Sequence, residues 1–266
     1  MVKKYSVCIT QYNNVRTVKR SLESILNQLD DQFEVVVVDN MSGDGSYEVL
    51  REFEKARRIS LIQAKSTRGR GRQIAFENSS GDYIVANMDM DDVFKPRLSE
   101  LLVRYHALAE GKLLWAFSRM RGLGFWGGEA FTIAPRRIIS ELGGWRDLQV
   151  FEDMELCARA ARKGLYLRGE FSLLDATNLH PERTRTAIGR MRWKYLRYRE
   201  ILRCGFPLQL WSNRESWKQR LLRMGMNAVV LPFYEKFDDS YNREFPMRLG
   251  DPRYSVPLEG VGRGKV

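Results

Sequence analysis

Phe33-Glu34-Val35-Val36-Val37-Val38-Asp39 decides the fold class. Four successive β-branched residues without an alternating polar partner describe a strand buried on both faces, and such strands belong to sheets covered by helices on both sides. Upstream, Tyr5 to Thr10 reads as another strand. Between the two, Val18, Leu22, Ile25 and Leu29 recur at helical spacing, with Asn13 or Asn14 available as the N-cap. Strand, helix, strand at this spacing is the beginning of a parallel sheet.

The same rhythm continues downstream. Ile59 to Gln63 is a short strand pattern, a helix is expected around Gln73 to Ser79, and Tyr83 to Met88 is a strand that runs into carboxylates. Pro96 suits the first turn of a helix carrying Leu98, Leu101, Leu102, Tyr105 and Leu108. Ligands of doubly wound sheets lie beyond the carboxyl ends of the strands. Thr10, Asp39 and Asp89 all stand at such ends, so they are expected to meet in one crevice. From Leu113 the pattern changes to strands at Leu113 to Ser118 and Ala130 to Ala134, separated by the glycine-rich run Gly122 to Gly128. Pro135 opens a short helix, and Glu152 to Lys163 forms another that Gly164 closes. After about residue 185 the chain is helical, arginine-rich and aromatic. The expected organisation is a catalytic domain over 1–185 and a basic helical extension over 186–266.

A chain of 266 residues with 44% hydrophobic and 29% charged content has room for one α/β unit and an appendage. Its net charge of +11 favours anionic partners: nucleic acid, anionic lipid or phosphorylated small molecules. Cys8, Cys157 and Cys204 are odd in number and lack metal-ligand spacing, which favours free buried thiols in a reducing compartment. The opening run MVKKYSVCIT is too short in apolar residues for a signal peptide, and no stretch has the roughly 18 apolar residues of a membrane span. The expected location is cytoplasmic, with peripheral contact to the inner face of the membrane left open.

The chemistry concentrates in Asn87-Met88-Asp89-Met90-Asp91-Asp92. Three crowded carboxylates repel one another unless protonation, cationic side chains or a divalent metal relieves them. All-oxygen ligands suit Mg²⁺ or Mn²⁺ bridging a diphosphate. Taken alone, the same residues also read as a solvated acidic turn.

Read together, the motifs resemble the inverting glycosyltransferases of family 2, which have the GT-A fold. The matching pieces stand in family order: Thr10-Gln-Tyr12-Asn13; Val38-Asp39 through Ser42-Gly-Asp44-Gly; Gly81-Asp-Tyr-Ile-Val ahead of Asp89-Met-Asp91-Asp92; Gly143-Gly-Trp145; Glu152-Asp153; and His180. The resemblance covers residues 5 to about 185 and implies a doubly wound, mixed but mostly parallel sheet flanked by helices. It implies that Thr10, Tyr12, Asn13 and Asp39 hold the nucleotide end of a nucleoside-diphosphate sugar, with Arg72 and Asp89 near the diphosphate. Asp89, Asp91 and His180 become metal ligands, for Mn²⁺ or Mg²⁺. Asp153 becomes the general base, supported by Glu152, because an acceptor hydroxyl must lose its proton as it attacks the anomeric carbon. Gln73 departs from the family's usual asparagine. Against these roles stand a surface arginine at 72, a helix-capping pair at 152 and 153, and a satisfied loop histidine at 180. His106 reads as structural.

Trp126, in the glycine-rich run, and Trp193 are candidate acceptor contacts, the former set against a plain hairpin connection. Gly189-Arg-Met-Arg-Trp193 approaches the Gln-x-x-Arg-Trp signature of processive synthases but lacks its glutamine. Met191, Tyr195, Tyr198 and Leu202 form a helical stripe among arginines, suited either to an anionic bilayer and a lipid-linked acceptor or to packing on the core. Leu221 to Tyr234 suits a packed or interfacial helix. A glycan is the other acceptor class. Two rival readings are a nucleotidyltransferase acting on sugar phosphates, which leaves Glu152-Asp153 without use, and a basic nucleic-acid-binding protein, which no recognised motif supports.

Overall fold

The computed structural model describes residues 4–109, 111–117, 130–176, 187–204 and 252–258, with single positions at 221, 224, 225 and 228. Strands β1 (Tyr5–Gln11), β2 (Phe33–Asp39), β3 (Ser60–Gln63) and β4 (Tyr83–Ala86) alternate with helices α1 (Val18–Leu26), α2 (Ser46–Lys55) and α3 (Arg68–Glu77). Then follow β5 (Val93–Phe94), α4 (Leu98–Leu108), β6 (Leu113–Phe117), β7 (Ala130–Pro135), α5 (Arg136–Glu141), α6 (Glu152–Arg162), β8 (Tyr166–Glu170), β9 (Leu174–Ala176) and α7 (Ala187–Arg203). Among the described residues, seven strands form one sheet in the order β3-β2-β1-β4-β7-β6-β8. Only β7 runs against its neighbours β4 and β6, so the sheet is mixed and mostly parallel. β5 and β9 pair separately as a small antiparallel ribbon.

The valine run explains the layering. Val35 and Val37 enter one core with Val18, Leu22 and Leu101, while Val36 and Val38 enter the other with Phe76, Ile138 and Leu156. Successive side chains of a strand point to opposite faces, so a continuous apolar run is what two helical layers require. Cys8, Cys157 and Cys204 are buried and unpaired, and burial pushes the Cys8 thiol up to about 12.

Several elements differ from the sequence expectations. The cap position of α1 is Thr17, not Asn13 or Asn14, because Asn13 is committed elsewhere: its side chain accepts from the Gly43 N–H at 3.0 Å. α1 ends at Leu26, so Leu29 packs on the core from beyond the helix. α3 starts at Arg68, earlier than expected, because the Thr67 hydroxyl caps it by accepting the Arg70 N–H at 3.1 Å. β4 ends before Met88, since Asn87 adopts a left-handed conformation at φ 69°. Pro96 precedes the cap residue Arg97 rather than entering the helix. Among the described side chains of α7, Glu200 and Ile201 are buried, as is Cys204 just beyond the helix, whereas Met191 of the expected stripe is 60% exposed.

Residues 252–258 return to the free edge of β8. The Val256 N–H donates to the Arg168 carbonyl at 2.8 Å, and Leu258 is fully buried. Among the described residues, no helix is long and apolar enough to cross a membrane.

Candidate active site

Beyond β4 the chain alternates its faces. Met88 and Met90 are buried in the core, Asp89 and Asp91 are half-exposed, and Asp92 is buried. One face of α1 pins this backbone with hydroxyls at helical spacing. Thr17 donates to the Met90 carbonyl at 2.8 Å, Ser21 donates to the Asp89 carbonyl at 3.2 Å, and Ser24 accepts the Phe94 N–H at 3.1 Å. The acid loop is thus fixed through main-chain groups, and the carboxylate oxygens of Asp89, Asp91 and Asp92 lie within 4.8 Å of one another. Three oxygen donors so close fit a hard divalent cation such as Mg²⁺ or Mn²⁺.

Arg72 joins this loop to the start of α6. Its Nη1 donates to the Glu152 carboxylate, and its Nη2 lies 3.7 Å from Asp89 Oδ1. Arg72 and Glu152 are both buried. Burial pulls the guanidinium below its ordinary pKa, while the charges of Asp89 and Asp153 oppose that shift. The approach depends on two glycines. A Cβ on Gly69 would fall 2.0 Å from the Arg146 carbonyl oxygen, and one on Gly71 would fall 2.3 Å from Thr10 Oγ1. α3 therefore presses against both β1 and the segment leading into α6.

At the head of α6 the cap residue is Phe151, in a left-handed conformation at φ 65°. Glu152 and Asp153 stand inside the first turn, not at the cap, where carboxylates interact favourably with the helix dipole. Glu152 turns inward to Arg72, and Asp153 is half-exposed. The Gly143-Gly144-Trp145 turn is held by Gln73, whose Oε1 accepts the Trp145 N–H at 2.8 Å. Gln73 thus has a partner of its own despite departing from the family residue.

Asp39, at the end of β2, is fully buried. Its carboxylate accepts from Gln11 Nε2, from the Ser42 N–H at 2.9 Å and from Gln63 Nε2 at 3.2 Å. Thr10 is half-buried beside Gly71, and Tyr12 is 49% exposed at the rim. Asn13 and Met41 are both left-handed, and the Asn13 N–H donates to Ser42 Oγ at 2.9 Å. Of the five non-glycine residues with positive φ among those described, Asn13, Met41, Asn87 and Phe151 frame these loops. Such strain persists only where the surroundings over-determine it.

The structure therefore gathers Asp89, Glu152 and Asp153 around the Arg72 guanidinium, with Asp91 beside Asp89 and Thr10 against the same helix α3. His180 and Trp126 lie outside the described residues, and Trp193 is half-buried on α7. Sequence reasoning missed Gln11 and Gln63 beside Asp39, and the hydroxyl face Thr17, Ser21 and Ser24. The polar residues at two strand ends and the i, i+4, i+7 hydroxyls were the available signals.

Residues 6–124 match the model described as Glycosyl transferase family 2. An uncharacterized glycosyltransferase of Rickettsia bellii is 34% identical over 103 residues, covering 38% of this chain and 15% of that protein. The match spans less than half the length of the first curated relatives. Among solved structures, a Pyrobaculum calidifontis mannosyltransferase in complex with GDP-Man and Mn²⁺ superposes with a TM-score of 0.57 at 16% identity, covering 86% of this chain and 70% of that one. Glucosyl-3-phosphoglycerate synthase from Mycobacterium tuberculosis, in complex with Mn²⁺, UDP and phosphoglyceric acid, gives 0.55 at 20% identity, covering 78% and 80%. The fold is of the GT-A glycosyltransferase type. Over residues 6–124, a little under half of its length, the chain is similar to glycosyltransferase family 2.

Proposed function

We propose that this chain is an inverting glycosyltransferase that moves a sugar from a nucleoside-diphosphate sugar to an acceptor hydroxyl or phosphate by direct displacement. The observation that carries this reading is the shared guanidinium: Arg72 contacts Glu152 on one side and approaches Asp89 on the other. A strand-end acid loop and an acid-bearing helix start, remote in sequence, thereby face one space. Neighbours of the same fold were solved with Mn²⁺ and UDP or GDP-Man, which supports a nucleotide-sugar donor with a divalent cation.

Asp89 and Asp91 would hold the cation, which when bound neutralises charge on the departing diphosphate. Arg72 adds a fixed positive charge beside the same loop and orients Glu152. Thr10, Tyr12, Asn13 and Asp39 form the nucleotide side, where Asp39 is held rigid by its three donors. Asp153 takes the acceptor proton, and its half-exposed position at the head of α6 leaves its carboxylate open to an incoming hydroxyl. His180 would be a further cation ligand, and Trp126 and Trp193 acceptor contacts.

A donor screen tests the reading: thermal stabilisation by UDP-, GDP- and dTDP-sugars, each with and without Mn²⁺. One nucleotide class should stabilise the chain only with metal, since a ligand that binds only the folded state raises its stability. The product should carry the anomeric configuration opposite to the donor's. Stabilisation by none of them, or retention of configuration, rejects the proposal.

The acceptor is proposed to be lipid-linked and reached from an anionic membrane surface. Ile188 and Met191 on α7 are 79% and 60% exposed beside the exposed Arg192, and Leu221 and Met224 are also exposed. Apolar groups interleaved with arginine suit the interface of an anionic bilayer. Flotation with anionic liposomes should carry the protein upward; a chain that stays wholly in solution rejects this part.

A further inference from the structure

Just ahead of the proposed base, the main chain is gripped by a side chain from α7, some fifty residues further along the chain. The Gln149 N–H donates to Glu200 Oε1 at 3.0 Å and to Oε2 at 3.1 Å, and the Val150 N–H donates to Oε2 at 2.7 Å. Glu200 is 1% exposed on α7, and its neighbours Ile201 and Cys204 are fully buried, so the helix is seated here. Bonds from N–H groups to a buried carboxylate are charge-assisted and roughly twice as strong as neutral ones. One turn earlier on α7, the Arg197 guanidinium lies 5.3 Å from the centre of the Phe151 ring.

Phe151 is where direction is decided. Its left-handed backbone is unfavourable for a bulky L-residue and needs enforcement by its surroundings. Its carbonyl accepts the Glu155 N–H at 2.8 Å, the first bond of α6. α7 thus holds residues 149 and 150 through Glu200 and contacts residue 151 through Arg197, and the next two residues are Glu152 and Asp153.

We propose that Glu200 is a positioning residue for Asp153: by clamping the main chain at Gln149 and Val150 it sets the entry of α6 and so the aim of the carboxylate at its head. This rests on the reading of Asp153 as the base. It gives α7 a task in the reaction that is separate from membrane contact, and it makes the basic extension part of the catalytic apparatus.

The test compares the full chain with Glu200→Gln and Glu200→Asp, by two readouts. In Glu200→Gln the carboxamide keeps one acceptor oxygen but turns an NH₂ toward a backbone donor. Amide hydrogen exchange should accelerate at least about tenfold at residues 149–155 while β1 and β2 keep their protection. With the nucleotide sugar that stabilises the wild type as probe, kcat for transfer or donor hydrolysis should fall about tenfold to a hundredfold while donor KM stays within about twofold, and Glu200→Asp should recover part of the loss. Unchanged exchange at 149–155, a uniform rise across the chain, or wild-type kcat overturns the proposal. Should the wild type turn over no nucleotide sugar, the transferase reading fails, and the exchange pattern alone then upholds or overturns the clamp.

Discussion

The strand ends on either side of β1 carry acids in opposite circumstances. At β2, Asp39 is sealed from solvent and accepts three hydrogen bonds, two of them from glutamines on the neighbouring strands. Beyond β4, Asp89, Asp91 and Asp92 crowd their oxygens within 4.8 Å, and the Arg72 guanidinium lies 3.7 Å from Asp89. A buried acid with matched donors is a rigid part of the fold. Crowded acids store repulsion that a divalent ion would relieve. The difference separates an acid held by matched donors from acids crowded against one another.

Substitution by asparagine should expose that contrast most sharply in turnover. Asp91→Asn removes one of the two carboxylates proposed to hold the cation, and a loss of about 4 kcal/mol of charge stabilisation corresponds to about a thousandfold in kcat. In metal-free protein the same change lessens like-charge crowding, so thermal melts should show a smaller loss of Tm for Asp91→Asn than for Asp39→Asn. Equal loss of stability in Asp91→Asn and Asp39→Asn would erase the distinction between the two sites.

Asp39→Asn should act the other way round. Its new NH₂ would face donors from Gln11, Gln63 or the Ser42 N–H, leaving a buried donor unpaired at about 1–3 kcal/mol. Urea unfolding should therefore give a lower midpoint with an unchanged slope. Nucleotide affinity should also weaken, because the same carboxylate is proposed to face the donor.

How far the sequence reached follows from where each partner lies. The first half was readable because its units are local: a valine run that divides between two cores, and an apolar stripe on α1. The Asp89 to Asp92 loop and Glu152-Asp153 were visible as motifs. α2 was not recognised, since Leu50 and Phe53 are its only buried large apolar side chains. β5 and β9 escaped because strands of two and three residues carry no periodicity. The supporting shell was hidden for a different reason. Gln73 with Trp145, Glu200 with Gln149, and Arg72 with Glu152 are pairs brought together only by tertiary packing, so nothing in either local stretch announces the other. For the helix at the start of the extension the sequence left a bilayer-facing and a core-packed stripe open, and it gave no sign that Glu200 would be buried against Gln149 and Val150.

The smallest effect concerns acids outside the Asp89 to Asp92 loop, and it carries the same contrast into pH. Burial acts to raise the Glu34 pKa, but hydrogen bonds from Ser6, Ser80 and Gly81 prevail and lower it. Burial also acts on Glu200, and there it prevails: its pKa is raised despite the Gln149 and Val150 N–H groups. A lowered carboxylate contributes stability that is present above its unfolded value of 4.5 and is lost as pH falls through the folded value. A raised one behaves oppositely, with its contribution fully present below 4.5 and lost as pH rises through the folded value. Melts from pH 7 downward should therefore find Glu34→Gln losing less stability below pH 4.5 than the wild type. Glu200→Gln should lack the gain that the wild type makes between its raised value and 4.5. Parallel curves for all three proteins would mean that neither carboxyl changes its proton affinity on folding, and that the donors around Glu34 do no more for it than water does in the unfolded chain.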